Sequence, residues 1–182
     1  MSPRRATEVL IVLTILVISM GGMIRIYDAG ESCPDWPTCF GTWGFDISEE
    51  EQGEWWEENP DEADSRGSGH RYSSFQIFTE WFHRLLAGAF VGPLVVLNWL
   101  LVRKETWTSP RVKGVSSLAL GLILWQGAIG WLTVKMDNEN WSVAIHLGSA
   151  MAFLISLIWL WMEIRRDAVS YTHLTLPTTH CV

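Results

Sequence analysis

The chain has 182 residues, 48% of them hydrophobic, with 12 tryptophans, three cysteines and a net charge of −7. That apolar content excludes a disordered chain, three cysteines are too few for a small disulfide scaffold, and the acidic balance argues against nucleic-acid binding. The mean hydropathy of +0.15 averages a segregated sequence: 13 of the 20 acidic residues fall between Asp28 and Asp64, and much of the remainder is apolar.

Four apolar stretches follow in chain order, predicted as helices over about 8–27, 75–102, 115–134 and 141–162. A bilayer core needs about 20 helical residues. The last three stretches meet that length and the first is borderline. Arg4 and Arg5 ahead of the first stretch also suit a cleaved signal peptide. Its apolar run is longer than such cores, and no small-x-small site clearly ends it, so it is read as a retained helix. The pattern predicts an all-α, polytopic membrane four-helix bundle over residues 1–167.

Charge sets the expected orientation, because Lys and Arg in short loops favour the cytoplasmic side. Arg4, Arg5, Arg103, Lys104, Arg111, Lys113, Arg165 and Arg166 flank the spans at one end. Both termini are thus expected inside a cell membrane, with an acidic loop over 28–74 and a short turn at Asp137–Asn140 outside. The stretch from Glu49 to Asp64 reads as a solvated, flexible insertion. From 168 onward the chain is expected to leave the bundle. Ser170 to Val182 lacks apolar periodicity and resembles a translated sequencing adaptor, so His173, His180 and Cys181 are set aside from site reasoning.

Two histidines, His83 and His146, fall within predicted spans. Ionisable residues in a bilayer are costly and mark functional candidates. At 1.5 Å per residue each lies roughly 10 Å below the outer surface. Matched depth on two helices would let them clamp one metal, and haem iron takes two axial ligands. Ala87, Gly88, Gly92, Gly148, Ala150 and Ala152 supply small side chains nearby. The competing reading is an ordinary packing seam with both histidines hydrogen-bonded in the core.

Glu80 shares a helix face with His83. It could donate or accept a proton beside a haem, ligate on the metal side, or simply pair with Arg84 at i, i+4. Arg84 and Arg25 could meet haem propionates, or Arg25 could snorkel to the interface. Cys33 and Cys39 bracket CPDWPTC in a loop that tolerates disulfides. No second Cys or His pair suits zinc there. A structural and a redox-active disulfide both remain open.

Five pieces together resemble the N-terminal half of the haem A synthase family: GGMIR (Gly21 to Arg25), SCPDWPTCFG (Ser32 to Gly41), FTEWFHRLLA (Phe78 to Ala87), QGAIGWLTV (Gln126 to Val134) and AIHLGSAM (Ala144 to Met151). They cover about residues 8–162. The resemblance implies an eight-helix fold of two four-helix bundles. It implies oxidation of the haem O C8 methyl to the formyl of haem A, by successive hydroxylations, for cytochrome oxidase. It implies axial ligation by His83 and His146, a catalytic Glu80, and a disulfide or redox pair at Cys33 and Cys39. Haem O is the implied substrate. Haem b is expected in a second bundle that these residues do not supply. The bilayer, haem O synthase, oxidase assembly factors and a second copy of the chain are the candidate partners. Residues 1–167 therefore read as a half-enzyme, and the chain is expected to be truncated. The alternatives are a b-type bis-His electron-transfer subunit and, more weakly, a thiol–disulfide exchange protein.

Overall fold

The computed structural model describes residues 1–62 and 66–175, with side chains through Tyr171. The described residues are helical wherever they are regular, and Cys39 and Thr42 form one isolated bridge. Four spans are long and apolar enough to cross a membrane: Pro3–Ile26, Ser74–Lys104, Pro110–Lys135 and Asn140–Tyr171.

The helices are α1 (Pro3–Ile26), α2 (Glu49–Glu58), α3 (Ser74–Leu85), α4 (Gly92–Lys104), α5 (Pro110–Lys135) and α6 (Asn140–Thr175). The starts of the spans are written in the sequence. Ser2, Ser73 and Ser109 are N-caps whose hydroxyls accept from a backbone N–H in the first turn, satisfying a donor that has no intrahelical partner. Pro3 and Pro110 stand at the first helical position, where the missing N–H is harmless.

The second span is one rod with a wide turn in it. Residues Leu86–Val91 form a π-helical segment between α3 and α4, and the Gly92 N–H donates to the Ala87 carbonyl. Pro93 cannot supply an N–H to continue the i−4 ladder. The ladder widens in the turn just before it, directly after His83 and Arg84.

Packing runs round a ring: α1 on α6, α6 on α5, α5 on α4, and α4 back on α1. Leu10, Val91, Val95, Ala119, Phe153 and Leu157 fill its centre. A second cluster of Val102, Val112, Val115, Leu160 and Ile164 closes the basic end. Between α1 and α4 the Asn98 amide donates to the Thr7 hydroxyl at 3.0 Å, a buried polar link among apolar neighbours. Val12, Leu124 and Ile155 are more than half exposed and point to where lipid would lie.

The acidic insertion differs from its expected flexible form. α2 is a capped helix, with Ser48 and Glu51 bonding reciprocally across its first turn. Gln52 and Trp56 on one face are buried. The Gln52 amide donates to the Tyr72 carbonyl at 3.0 Å and its oxygen accepts from the Tyr72 N–H at 2.8 Å. Trp56, Tyr72, Phe40, Ile47 and Ile77 form a small core with both cysteines. The acids occupy the other faces, and their abundance masks the one apolar face that folds the segment.

The last helix also runs further than its predicted end at 162. It continues to Thr175, so residues 168–175 of the expected irregular tail are helical. No Gly or Pro interrupts the chain from Arg165 to Thr175, and Arg165 and Arg166 mark the membrane boundary without stopping the helix. Residues 176–182, with His180 and Cys181, lie outside the described residues.

Candidate functional site

α3 carries Glu80, His83 and Arg84 on adjoining positions of its last two turns, and α6 carries His146 in its second turn. Over this outer half, α3 packs on α1. Among the described residues it has no comparable packing against α5 or α6. An opening therefore separates α3 from the α5–α6 pair, while the inner half is closed by α4 against α5.

The two imidazoles are half-buried and lie within electrostatic reach of one another. Each Nδ1 is buried on the side of the backing helix, where the Val17 carbonyl of α1 is the nearby acceptor for His83. Glycines back both rings. A Cβ on Gly21 of α1 would stand 3.4 Å from His83 Cε1. A Cβ on Gly130 of α5 would stand 3.3 Å from His146 Cε1. By contrast, a Cβ on Gly88 or Gly148 would meet nothing within 4 Å. Two of the small residues singled out from sequence, Gly88 and Gly148, thus face open space, and the two that let the rings seat against a helix are different ones. Both are in motifs noted above, GGMIR and QGAIGWLTV, but a close approach between helices leaves no periodic trace in the sequence.

Glu80 is 4% exposed and fully partnered. Its Oε2 accepts from the Ser32 hydroxyl and the Cys33 N–H, each at 3.0 Å. Its Oε1 pairs with the Arg84 guanidinium at 2.5 Å. The i, i+4 ion pair considered from sequence is present, and the loop contacts come in addition to it. Ser32 was not anticipated as part of this cluster.

Arg84 does more than pair with Glu80. It donates to the carbonyls of Cys33 at 2.7 Å and Thr38 at 2.8 Å, and to that of Asp35. Cys33 and Cys39 are joined by a disulfide. Asp35 accepts from the Gly41 N–H at 3.1 Å and from the Thr38 hydroxyl, and the Trp36–Pro37 peptide is cis. The CPDWPTC loop is thus a closed ring whose carbonyls converge on one guanidinium. Arg25, at the end of α1, donates to Asn140 Oδ1 at 2.9 Å, tying α1 to the start of α6. The structure brings Glu80, Arg84, Cys33 and Cys39 into one cluster, sets His83 and His146 on the walls of the opening, and holds Arg25 at its outer rim.

The opening and the glycine-backed rings on its two sides fit a flat, apolar guest bound between two imidazoles. The residues that would hold a haem are His83 and His146. Over residues 4–180 the sequence matches the family model described as COX15-CtaA, cytochrome oxidase assembly protein. The chain belongs to this family. Among curated COX15-CtaA relatives, it is 34% identical over 167 residues to heme A synthase of Shewanella oneidensis, a match covering 91% of this chain and 47% of that protein. Heme A synthase COX15 of Saccharomyces cerevisiae is 28% identical over 173 residues, covering 83% and 34% respectively. A heme A synthase–mitochondrial ferredoxin fusion protein of Schizosaccharomyces pombe is 29% identical over 168 residues, covering 81% and 26%. The chain spans about half, or less, of the length of these relatives. No solved structure matches it.

Proposed function

We propose that this bundle is the substrate-haem half of a haem A synthase, in which haem O is oxidised at its C8 methyl group to the formyl group of haem A. The observation that carries the reading is the opening between α3 and the α5–α6 pair, with His83 and His146 on its two walls and a glycine behind each ring. Membership of the COX15-CtaA family supports it, as do relatives named heme A synthase.

In this reading His83 and His146 would hold the substrate iron. Bound haem supplies the redox chemistry. The protein's part would be to hold the macrocycle between the two histidines, keep water out from the sealed inner end, and supply a carboxyl nearby. Glu80 is that carboxyl, one turn outward from His83. Its two oxygens are held by Ser32, Cys33 and Arg84, so it is oriented before substrate arrives, as a group that accepts or donates a proton must be. The disulfide fixes the loop that supplies two of those three contacts. Its role here is to position Glu80.

The test separates ligation from proton handling. Glu80→Gln keeps the hydrogen-bonding shape of the side chain and removes its titratable proton. Membranes from a haem O-producing host should then show a Soret band in the variant and no haem A from it, scored against an active longer form of the same protein. His83→Ala and His146→Ala should each lose the haem. Unchanged haem A yield from Glu80→Gln overturns the catalytic role, and retained haem in both histidine variants overturns the ligand assignment.

A further inference from the structure

The interior face of α5 runs through Val112, Ala119, Gln126, Gly130 and Thr133, and that of α6 through Ser142, His146, Ser149, Phe153 and Leu157. Most of these are apolar or small. Gln126 and Ser149 are the polar pair that lies deepest among them, below Thr133, Ser142 and His146. Gln126 Nε2 donates to Ser149 Oγ at 2.5 Å, across the α5–α6 interface. The pair sits one turn deeper than Gly130, whose open side faces the His146 ring, which places it about 6 Å further into the membrane. Just below it begins the apolar plug of Ala119, Phe153 and Leu157.

In this structure the Gln126 amide nitrogen faces the Ser149 hydroxyl. Ser149 has a single hydroxyl proton, and its own helix takes it, through the Ile145 carbonyl at 2.8 Å or that of His146 at 3.1 Å. Ser149 must therefore accept from Gln126. The amide NH2 faces the serine, and the amide oxygen is left outward. Gln126 Oε1 makes no hydrogen bond among the described residues, and the side chain is only half-buried. A free acceptor at this depth has no water-filled surroundings to satisfy it. It is matched to a ligand that brings a hydroxyl donor.

We infer that Gln126, oriented by Ser149, is a specificity-determining residue that accepts a hydrogen bond from the side-chain hydroxyl of haem O. This rests on the reading of the site as a haem O site. The two propionates of a haem favour the polar outer end, beside Arg25 and the loop. The opposite edge, which in haem O carries the hydroxyethyl-farnesyl group, then points inward to the depth of Gln126. Iron protoporphyrin IX has a vinyl group at that position and offers no donor. A site built around a substrate hydroxyl discriminates against an analogue without one, because its own polar group is left unpaired.

The experiment titrates haem O and iron protoporphyrin IX separately into the detergent-purified full chain, following the Soret band, for the unaltered protein, Gln126→Leu and Ser149→Ala. The isoprenoid tail contributes to the haem O affinity of all three and cancels in the ratio of affinities. The expected result is a preference for haem O that falls about tenfold in Gln126→Leu, with protoporphyrin affinity unchanged. Ser149→Ala should show a smaller fall, since it frees the amide to rotate. Equal loss of both haems in Gln126→Leu would show a packing role and overturn the inference, as would an unaltered ratio. Failure of the unaltered chain to bind either haem overturns the proposed function and this inference with it, whereas binding of both haems with no effect of Gln126 overturns the inference alone.

Discussion

At the scale of single residues, the site is governed by how closely helices approach two rings. Gly130 is the tighter of the two backing positions, with a Cβ placed 3.3 Å from His146 Cε1 and 3.8 Å from Nε2. Contacts of that kind leave a ring no room to retreat when its other side is engaged. Gly130→Val adds two methyl groups to the Cβ and should push the imidazole towards the opening. Overpacking of this size typically costs about 1–3 kcal/mol, and the expected outcome is a haem affinity lowered by about fivefold or more, read from the Soret band at subsaturating haem. Gly114→Val is the matched control, because its Cβ enters open space at the far end of the same helix, and its haem content should equal that of the unaltered chain. Equal haem binding in the two variants would show that the backing of His146 by α5 is incidental.

At the scale of elements, α2 is an acidic helix held by one capped end. The Ser48 N–H and hydroxyl both bond to the Glu51 carboxylate, at 2.7 and 2.8 Å, and these bonds hold the Glu51 pKa below its ordinary value. A carboxylate whose folded pKa is depressed contributes stability that is fully present above its unfolded value, near pH 4.3. That contribution is lost as pH falls through the folded value. The Gln52 amide, which donates to the Ser48 carbonyl at 3.0 Å, reports on the first turn. Its hydrogen-exchange protection, corrected for intrinsic rate, should drop between pH 5 and the acid side of the carboxylate range. In Glu51→Gln the step should vanish, because the amide still accepts from Ser48 and has no proton to gain. A step of the same size in that variant would assign the pH dependence to other acids of the loop.

This helix also shows where sequence reading stops. The four spans were legible because lipid demands long apolar runs, and His83, His146 and Glu80 stood out as costly exceptions within them. α2 was hidden because Gln52, Trp55 and Trp56 are outnumbered by the glutamates around them. The wide turn over Leu86–Val91 was signalled only by Pro93. The clamp of Arg84 on the CPDWPTC carbonyls was out of reach, since side chain to backbone contacts across about fifty residues carry no spacing pattern. Gly21 and Gly130 were visible within motifs, but their purpose depends on which helix faces which.

At the scale of the whole molecule, charge and chemistry separate along the bundle axis. Eight of the 13 lysines and arginines flank the spans at one end: Arg4, Arg5, Arg103, Lys104, Arg111, Lys113, Arg165 and Arg166. The other end carries 13 of the 20 acidic residues and the Cys33–Cys39 disulfide. Two independent rules then point the same way. Basic flanks are retained on the cytoplasmic side, and disulfides persist outside the reducing cytosol. The loop over 28–74 should therefore face away from the cytoplasm. Ser68 and Thr106 are both exposed, the first in that loop and the second between α4 and α5. With Cys181 replaced by Ser, Ser68→Cys should react with a membrane-impermeant maleimide in intact cells stripped of their outer envelope. Thr106→Cys should react only after the membrane is opened. Because the Glu80–Arg84 cluster hangs from the disulfide loop, the same orientation puts the carboxyl proposed to handle protons within two turns of the outer end of α3, and the sealed apolar plug between it and the cytoplasm. Protons gained or lost at Glu80 would then exchange with the outer side. The reverse labelling pattern would overturn both the orientation and that proton route.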